Sequence, residues 1–185
     1  MNIANKLTIL RILLIPFFII CFYIPSWTVP VTIFNFATTP SHMIALLIFI
    51  IAALTDWLDG YLARKLDLIS DFGKFMDPLA DKMLTTAAFL IFIDQNLIAS
   101  WIIFIVLTRE FIVSGLRMAA ASKGVVIAAG FLGKFKTVLQ FITIISLLII
   151  PSLHALNVVL IYAMTIATVI SGIEYVMKNI TVFNA

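Results

Sequence analysis

Apolar positions along this chain run on without alternating. No Lys, Arg, Asp or Glu occurs from Ile12 to Thr55, and none from Thr137 to Ile173. Runs of that length exceed the roughly 20 apolar residues that cross a bilayer. Only helices and closed barrels span lipid, because each backbone polar group must be satisfied within the chain. The lack of a two-residue period argues against a barrel. The pattern therefore predicts an all-α membrane protein. Breaks at Pro25, Ser26 and Pro30, at Pro40 and Ser41, from Asp94 to Asn96, from Gly124 to Gly133, and at Pro151 and Ser152 divide it. They leave six transmembrane helices, predicted at about 7–24, 41–63, 76–94, 97–119, 132–151 and 155–177. No repeat or linker interrupts the chain, so residues 1–185 read as a single domain.

Charge tests this layout. The basic residues are Lys6, Arg11, Arg64, Lys65, Lys74, Lys82, Arg109, Arg117, Lys123, Lys134, Lys136 and Lys178. With six spans all twelve fall on one side, and the opposite loops, 25–40, 95–96 and 152–154, contain none. The positive-inside bias then predicts cytoplasmic termini and basic loops, in a cell (inner, cytoplasmic) membrane. Composition agrees: 63% of the residues are hydrophobic and 11% charged, too few charges for a soluble surface of this size. The net charge of +3 needs no nucleic acid to explain it, since basic groups belong at a cytoplasmic lipid surface. The lone Cys21 cannot form an intrachain disulfide, and no His/Cys metal spacing exists. The first apolar stretch lacks a small-residue cleavage site and reads as a retained helix.

Six of the nine acidic residues lie between positions 56 and 81: Asp56, Asp59, Asp67, Asp71, Asp77 and Asp81. Asp56, Asp59, Gly60 and Ala63 are spaced i, i+3, i+4, i+7, one stripe of a helix. Gly73, Asp77 and Asp81 follow at i, i+4, i+8, a second stripe. A short cytoplasmic connection between two spans would bring the stripes face to face. Four carboxylates there would repel one another unless cations lie between them, and all-oxygen ligands suit Mg²⁺ or Mn²⁺ and not zinc. Such sites commonly complete their shell with substrate phosphates. Small residues on the same faces leave room for a bulky ligand, with Arg64 and Lys65 at its rim. Taken singly, Asp77 before Pro78 also fits a helix N-cap, and the glycines fit ordinary helix packing. Asp67 and Asp71 read as a solvated loop.

The run Asp56-Trp-Leu-Asp59-Gly60-Tyr-Leu-Ala63-Arg64, followed by Gly73, Asp77 and Asp81 at their spacings, resembles the signature of the CDP-alcohol phosphotransferase family at all eight fixed positions. The resemblance implies six transmembrane helices, often paired as homodimers, and a reaction joining CDP-diacylglycerol to an alcohol with release of CMP. It implies two Mg²⁺ or Mn²⁺ ions, with Asp56, Asp59 and Asp77 as principal ligands. Asp81 is implied as a second-metal ligand and general base, with Gly60, Ala63, Arg64 and Gly73 lining the CDP-lipid site. Thr108 to Arg117 and Gly133 to Gln140 are similar to segments of the phosphatidylglycerophosphate synthases of that family, and so is the opening Asn2 to Arg11, where Ala4 stands in place of a common proline. The similarity weakens from Pro25 to Pro40 and after Phe141.

The acceptor should leave its own signature. Arg109 lies about twelve residues into the fourth span, roughly 18 Å at helical rise, near mid-membrane. Arg117 is two turns later, and Lys134 and Lys136 enter the fifth span from the same side. An arginine at that depth needs an anion or a wet cavity, and Glu110, adjacent in sequence, is expected to face elsewhere on the helix. A phosphate on the acceptor would satisfy Arg109, Arg117, Lys134 and Lys136, and the resemblance of the two segments that carry them to phosphatidylglycerophosphate synthases implies that the acceptor is sn-glycerol 3-phosphate. Pairing with the motif aspartates, or snorkelling of Arg117 and Lys136, are the other readings. Lys82 and Lys178 read as interfacial anchors. Inositol phosphate would suit the same cations. Serine or phosphatidylglycerol would explain them less well. A cation channel or transporter would need acidic groups across the membrane, and only Asp94 stands on the outer side.

Overall fold

The computed structural model describes residues 3–33, 36–65, 71–122, 124, 127 and 130–179; the side chains at 3–6, 33, 36, 56–65, 71–79, 81 and 122 are outside that description. Six helices account for most of the chain: α1 (Ile3–Ile20), α2 (Pro40–Lys65), α3 (Asp71–Asp94), α4 (Ser100–Ser122), α5 (Phe131–Ile149) and α6 (His154–Asn179). Each overlaps one of the predicted spans. Two of them, α5 and α6, are apolar over a full membrane-crossing length, and shorter apolar helical stretches cover Leu7–Tyr23 and Pro40–Thr55. Between α1 and α2 the chain forms two short 3-10 turns and a hairpin of β1 (Val31–Ile33) and β2 (Phe36–Thr38), with Thr32 paired to Ala37. The hydrophobic pattern did not announce this hairpin.

The backbone divides into two compact units, Met1–Gln95 with Leu147–Ser152, and Asn96–Ser146 with Leu153–Ala185. In the first, α1 packs against both α2 and α3. The buried face of α1 is Thr8, Arg11, Ile15 and Phe18, carried on by Phe22 in the 3-10 turn that follows, spaced by threes and fours as one helical stripe requires. On α2 the buried positions Ala45, Phe49 and Ala52 keep the same spacing, as do Ala80, Leu84, Ala88 and Ile91 on α3. Thr39 starts α2: its hydroxyl accepts from the His42 backbone N–H at 3.4 Å and meets His42 Nδ1 at 2.7 Å, ahead of Pro40 in the first turn. The Phe22 and His42 rings meet edge to face, 5.3 Å between centroids. The end of α1 thus lies beside the start of α2, and the two helices run antiparallel.

In the second unit α4 packs against α6. Along α6 the buried residues Asn157, Ile161, Met164, Thr165, Thr168, Ser171 and Tyr175 form its inner face. The three hydroxyls at 165, 168 and 171 return their hydrogen bonds to the helix backbone, which removes the cost of burying them. Ser146 on α5 and Asn157 on α6 join at 2.7 Å, which closes the pair of helices near their turn. Asn96, after α3, holds a left-handed φ of 57°, a conformation that asparagine tolerates.

Candidate active site

The aspartate motif occupies the adjoining ends of two helices. Asp56, Asp59, Gly60, Ala63 and Arg64 fall in the last three turns of α2, and Gly73, Asp77 and Asp81 in the first three turns of α3. Their side chains are outside the described residues, but the helical register of their positions is clear. Asp56, Asp59 and Ala63 continue the spacing of Ala45, Phe49 and Ala52, the buried stripe of α2. Asp81, Asp77 and Gly73 likewise extend the stripe of Ile91, Ala88 and Leu84 on α3. Four carboxylates at such positions would offer an all-oxygen donor set of the kind that suits a hard divalent cation. Among the described residues no group of three His, Cys, Asp or Glu converges.

The second set of predicted residues is described with its side chains. Arg109 on α4 is almost enclosed, with 11% of its side chain exposed. Its Nη1 donates to Glu110 Oε1 at 3.3 Å, and Lys136 Nζ from α5 donates to the same oxygen. Lys136 also donates to Gln140 Oε1 at 3.0 Å, one turn along its own helix. The expectation that Glu110 faces elsewhere is therefore wrong: adjacent residues do diverge by about 100° around a helix, but Arg109 folds back and Lys136 approaches from another element. Arg109 Nε is buried and has no hydrogen-bond partner among the described residues. A buried guanidinium nitrogen left in that state is costly and marks a place for an anionic or polar ligand. Arg117 is exposed and donates through Nε to the Tyr175 hydroxyl at 3.3 Å, its guanidinium 5.5 Å from the centroid of that ring. Lys134 is exposed at the start of α5. The structure thus groups Arg109 with Lys136 through Glu110, and places Arg117 against α6.

Gly172 on α6 makes room for Arg109: a Cβ there would stand 2.9 Å from Arg109 Cγ, whereas one at Gly133 would stand 3.7 Å from Nη2, an ordinary contact. Apolar residues of α4 and α6, among them Ile105, Val113, Val169 and Ile173, line a groove of about 410 Å³ that holds Arg109 as its charged member. Glu110, Gln140, Gly172 and Tyr175 were not singled out from sequence. Only the charge at position 110 offered a signal there, since Gly172 and Tyr175 act through contacts between helices. Lys178 pairs with Glu174 one turn away at the exposed end of α6.

A model of the CDP-alcohol phosphatidyltransferase family matches residues 1–171. A protein of Bacillus subtilis named CDP-diacylglycerol--glycerol-3-phosphate 3-phosphatidyltransferase is 42% identical over 187 residues, covering 96% of this chain and 95% of its own. A protein of the same name from Haemophilus influenzae is 41% identical, covering 94% and 91%. One from Salmonella typhimurium is 35% identical over 94% and 92%.

Proposed function

Since this chain belongs to the CDP-alcohol phosphatidyltransferase family, we propose that it moves the phosphatidyl group of CDP-diacylglycerol to sn-glycerol 3-phosphate, giving phosphatidylglycerophosphate and CMP. The observation that carries the acceptor is the enclosed Arg109, bound to Glu110 and left with a buried Nε that has no partner among the described residues. A phosphomonoester supplies the missing acceptor atom. The named relatives support the same reaction.

In this reading Asp56, Asp59 and Asp77 would hold two Mg²⁺ or Mn²⁺ ions, with Asp81 as a further ligand. Such ions, when bound, would supply positive charge against the diphosphate of the CDP-lipid. Asp81 takes the proton from the acceptor hydroxyl as it attacks the β-phosphorus, and CMP leaves with the electron pair of the broken P–O bond. Gly60, Ala63 and Gly73 give the CDP moiety space, and Arg64 adds a cation to it. Arg109, Arg117, Lys134 and Lys136 bind and orient the phosphate of the acceptor. Residues 1–185 work as one catalytic domain, as a homodimer, with six helices spanning the cytoplasmic membrane. Both termini and the site face the cytoplasm, where soluble glycerol 3-phosphate is supplied. The clean segregation of basic residues supports this orientation.

The test is CMP release from CDP-diacylglycerol by the purified protein in detergent with Mg²⁺ or Mn²⁺. Glycerol 3-phosphate, inositol phosphate, serine, glycerol and phosphatidylglycerol are offered one at a time. Glycerol 3-phosphate should be used fastest and glycerol poorly. Faster turnover of serine or phosphatidylglycerol would refute the acceptor assignment while leaving the aspartate chemistry standing.

A further inference from the structure

Arg11 has no part in the reaction as drawn, yet it is one of the most enclosed side chains of the first unit, only 1% exposed. Thr8, one turn earlier, is fully buried beside it on the stripe that α1 turns toward α2 and α3. An arginine enclosed among apolar helices needs an anion, because an uncompensated charge there costs several kcal/mol.

The register identifies which anions can serve. The Phe22–His42 ring contact anchors the antiparallel pair α1 and α2. From Phe22 back to Arg11 the chain covers about 17 Å, nine residues of α-helix and two of 3-10 helix. From His42 forward, fourteen residues bring Asp56 to about 21 Å and seventeen bring Asp59 to about 25 Å. Arg11 therefore stands within about one helical turn of Asp56 along the shared axis, and within two of Asp59. On α3 the positions Asp77 and Asp81 lie six and ten residues from the helix start, and Arg11 lies eight residues from the start of α1. Of the other acidic residues described in positions 1–95, Asp71 is the first residue of α3 and Asp94 closes that helix about 20 Å past Asp81.

We propose that Arg11 is the resident counter-charge of the aspartate centre. It offsets part of the carboxylate charge while no divalent cation is bound, and it competes with the cation that replaces it. The proposal rests on the reading that these aspartates take a divalent cation. Its signature is a sign that a packing role does not produce. Removing a neighbouring positive charge raises the affinity of an anionic site for Mn²⁺, while the metal-free protein, left with uncompensated carboxylates, loses stability.

The experiment compares full-length wild type, Arg11→Gln, Arg11→Lys and Asp56→Asn in detergent. Thermal unfolding is followed in chelator and in saturating Mn²⁺, and Mn²⁺ affinity is read from the free-ion paramagnetic resonance signal. Arg11→Gln should unfold several degrees below wild type in chelator, with most of the gap closed by Mn²⁺, and should bind Mn²⁺ roughly tenfold tighter. Arg11→Lys, which keeps the charge, should stay within about threefold of wild type in Mn²⁺ affinity, a comparison that holds even where Arg11→Gln does not fold. Equal destabilisation of Arg11→Gln with and without Mn²⁺, weaker Mn²⁺ binding in Arg11→Gln, or a change of more than about threefold in Arg11→Lys overturns the proposal. So does a tenfold rise in the KM for CDP-diacylglycerol with unchanged Mn²⁺ affinity, which would make Arg11 a substrate-binding group. If wild type and Asp56→Asn respond identically to Mn²⁺, the metal reading itself fails, and the counter-charge role fails with it.

Discussion

The Gly172→Ala substitution adds one methyl group and tests the placement of Arg109. The new Cβ would lie 2.9 Å from Arg109 Cγ, where ordinary contact begins at 3.4 Å. The arginine must give way by about half an ångström. Its freedom to do so is reduced, since Nη1 is held by Glu110 at 3.3 Å. Helix propensity works in the opposite direction: alanine within α6 is better than glycine by about 1 kcal/mol, so global stability should not fall. The damage should appear in acceptor binding. A charge-assisted contact to phosphate contributes about 1.5–3 kcal/mol, and losing half of it to misalignment is about 0.7–1.5 kcal/mol, a three- to tenfold rise in KM for glycerol 3-phosphate. The assay is CMP release against glycerol 3-phosphate at saturating CDP-diacylglycerol, repeated with the substrates exchanged. Gly115→Ala, where an added Cβ meets nothing within 4 Å, is the control and should behave as wild type. An unchanged KM for glycerol 3-phosphate in Gly172→Ala, or an equal rise in the KM for both substrates, would refute the reasoning.

The aspartate roles separate in the same assay. Asp56→Asn and Asp77→Asn should abolish turnover and metal-dependent binding of the CDP-lipid. Asp81→Asn should lose turnover by about 10²–10⁴-fold while keeping much of that binding, and activity above about a tenth of wild type would remove it as the base. For topology, single cysteines at the exposed positions Thr28 and Asn96 should react with an impermeant thiol reagent from outside intact cells, and one at Ala121 should not. The native Cys21 is buried and should contribute little background. Labelling at Ala121 would overturn the six-span arrangement.

The helices could be read from the chain because their ends are set locally. Thr39 and Pro40 open α2, Asn96 turns the chain after α3, and Pro151 with Ser152 separates α5 from α6. Each of these acts through its own backbone angles or a cap, so a single sequence carries the signal. The aspartate positions were legible for a related reason: a polar residue on an apolar stripe is conspicuous, and the stripes of α2 and α3 run directly into them. The hairpin at 31–38 was not legible, since three-residue strands leave too short a pattern to read. Gly172 and Tyr175 were missed because their roles are relational. A glycine that yields space to an arginine on another helix, and a tyrosine hydroxyl that receives one, look like ordinary membrane-helix residues until the helices are packed.

The misreading of Glu110 changes how the acceptor site works. Arg109 and Lys136 alone would place two enclosed positive charges within apolar helices, each costing several kcal/mol. Glu110 takes one hydrogen bond from each and reduces the trio to a net charge of +1. The cations are thereby held in position before any substrate arrives, which lowers the ordering cost of binding. The arrangement is nevertheless incomplete, because Arg109 Nε remains buried without a partner among the described residues. A neutral acceptor such as glycerol brings no charge to finish it. A phosphate brings several acceptor oxygens and a charge that the half-neutralised trio can still accept. On the proposed reading, selectivity for a phosphorylated alcohol would follow from what Glu110 leaves unsatisfied as much as from the number of cations around it.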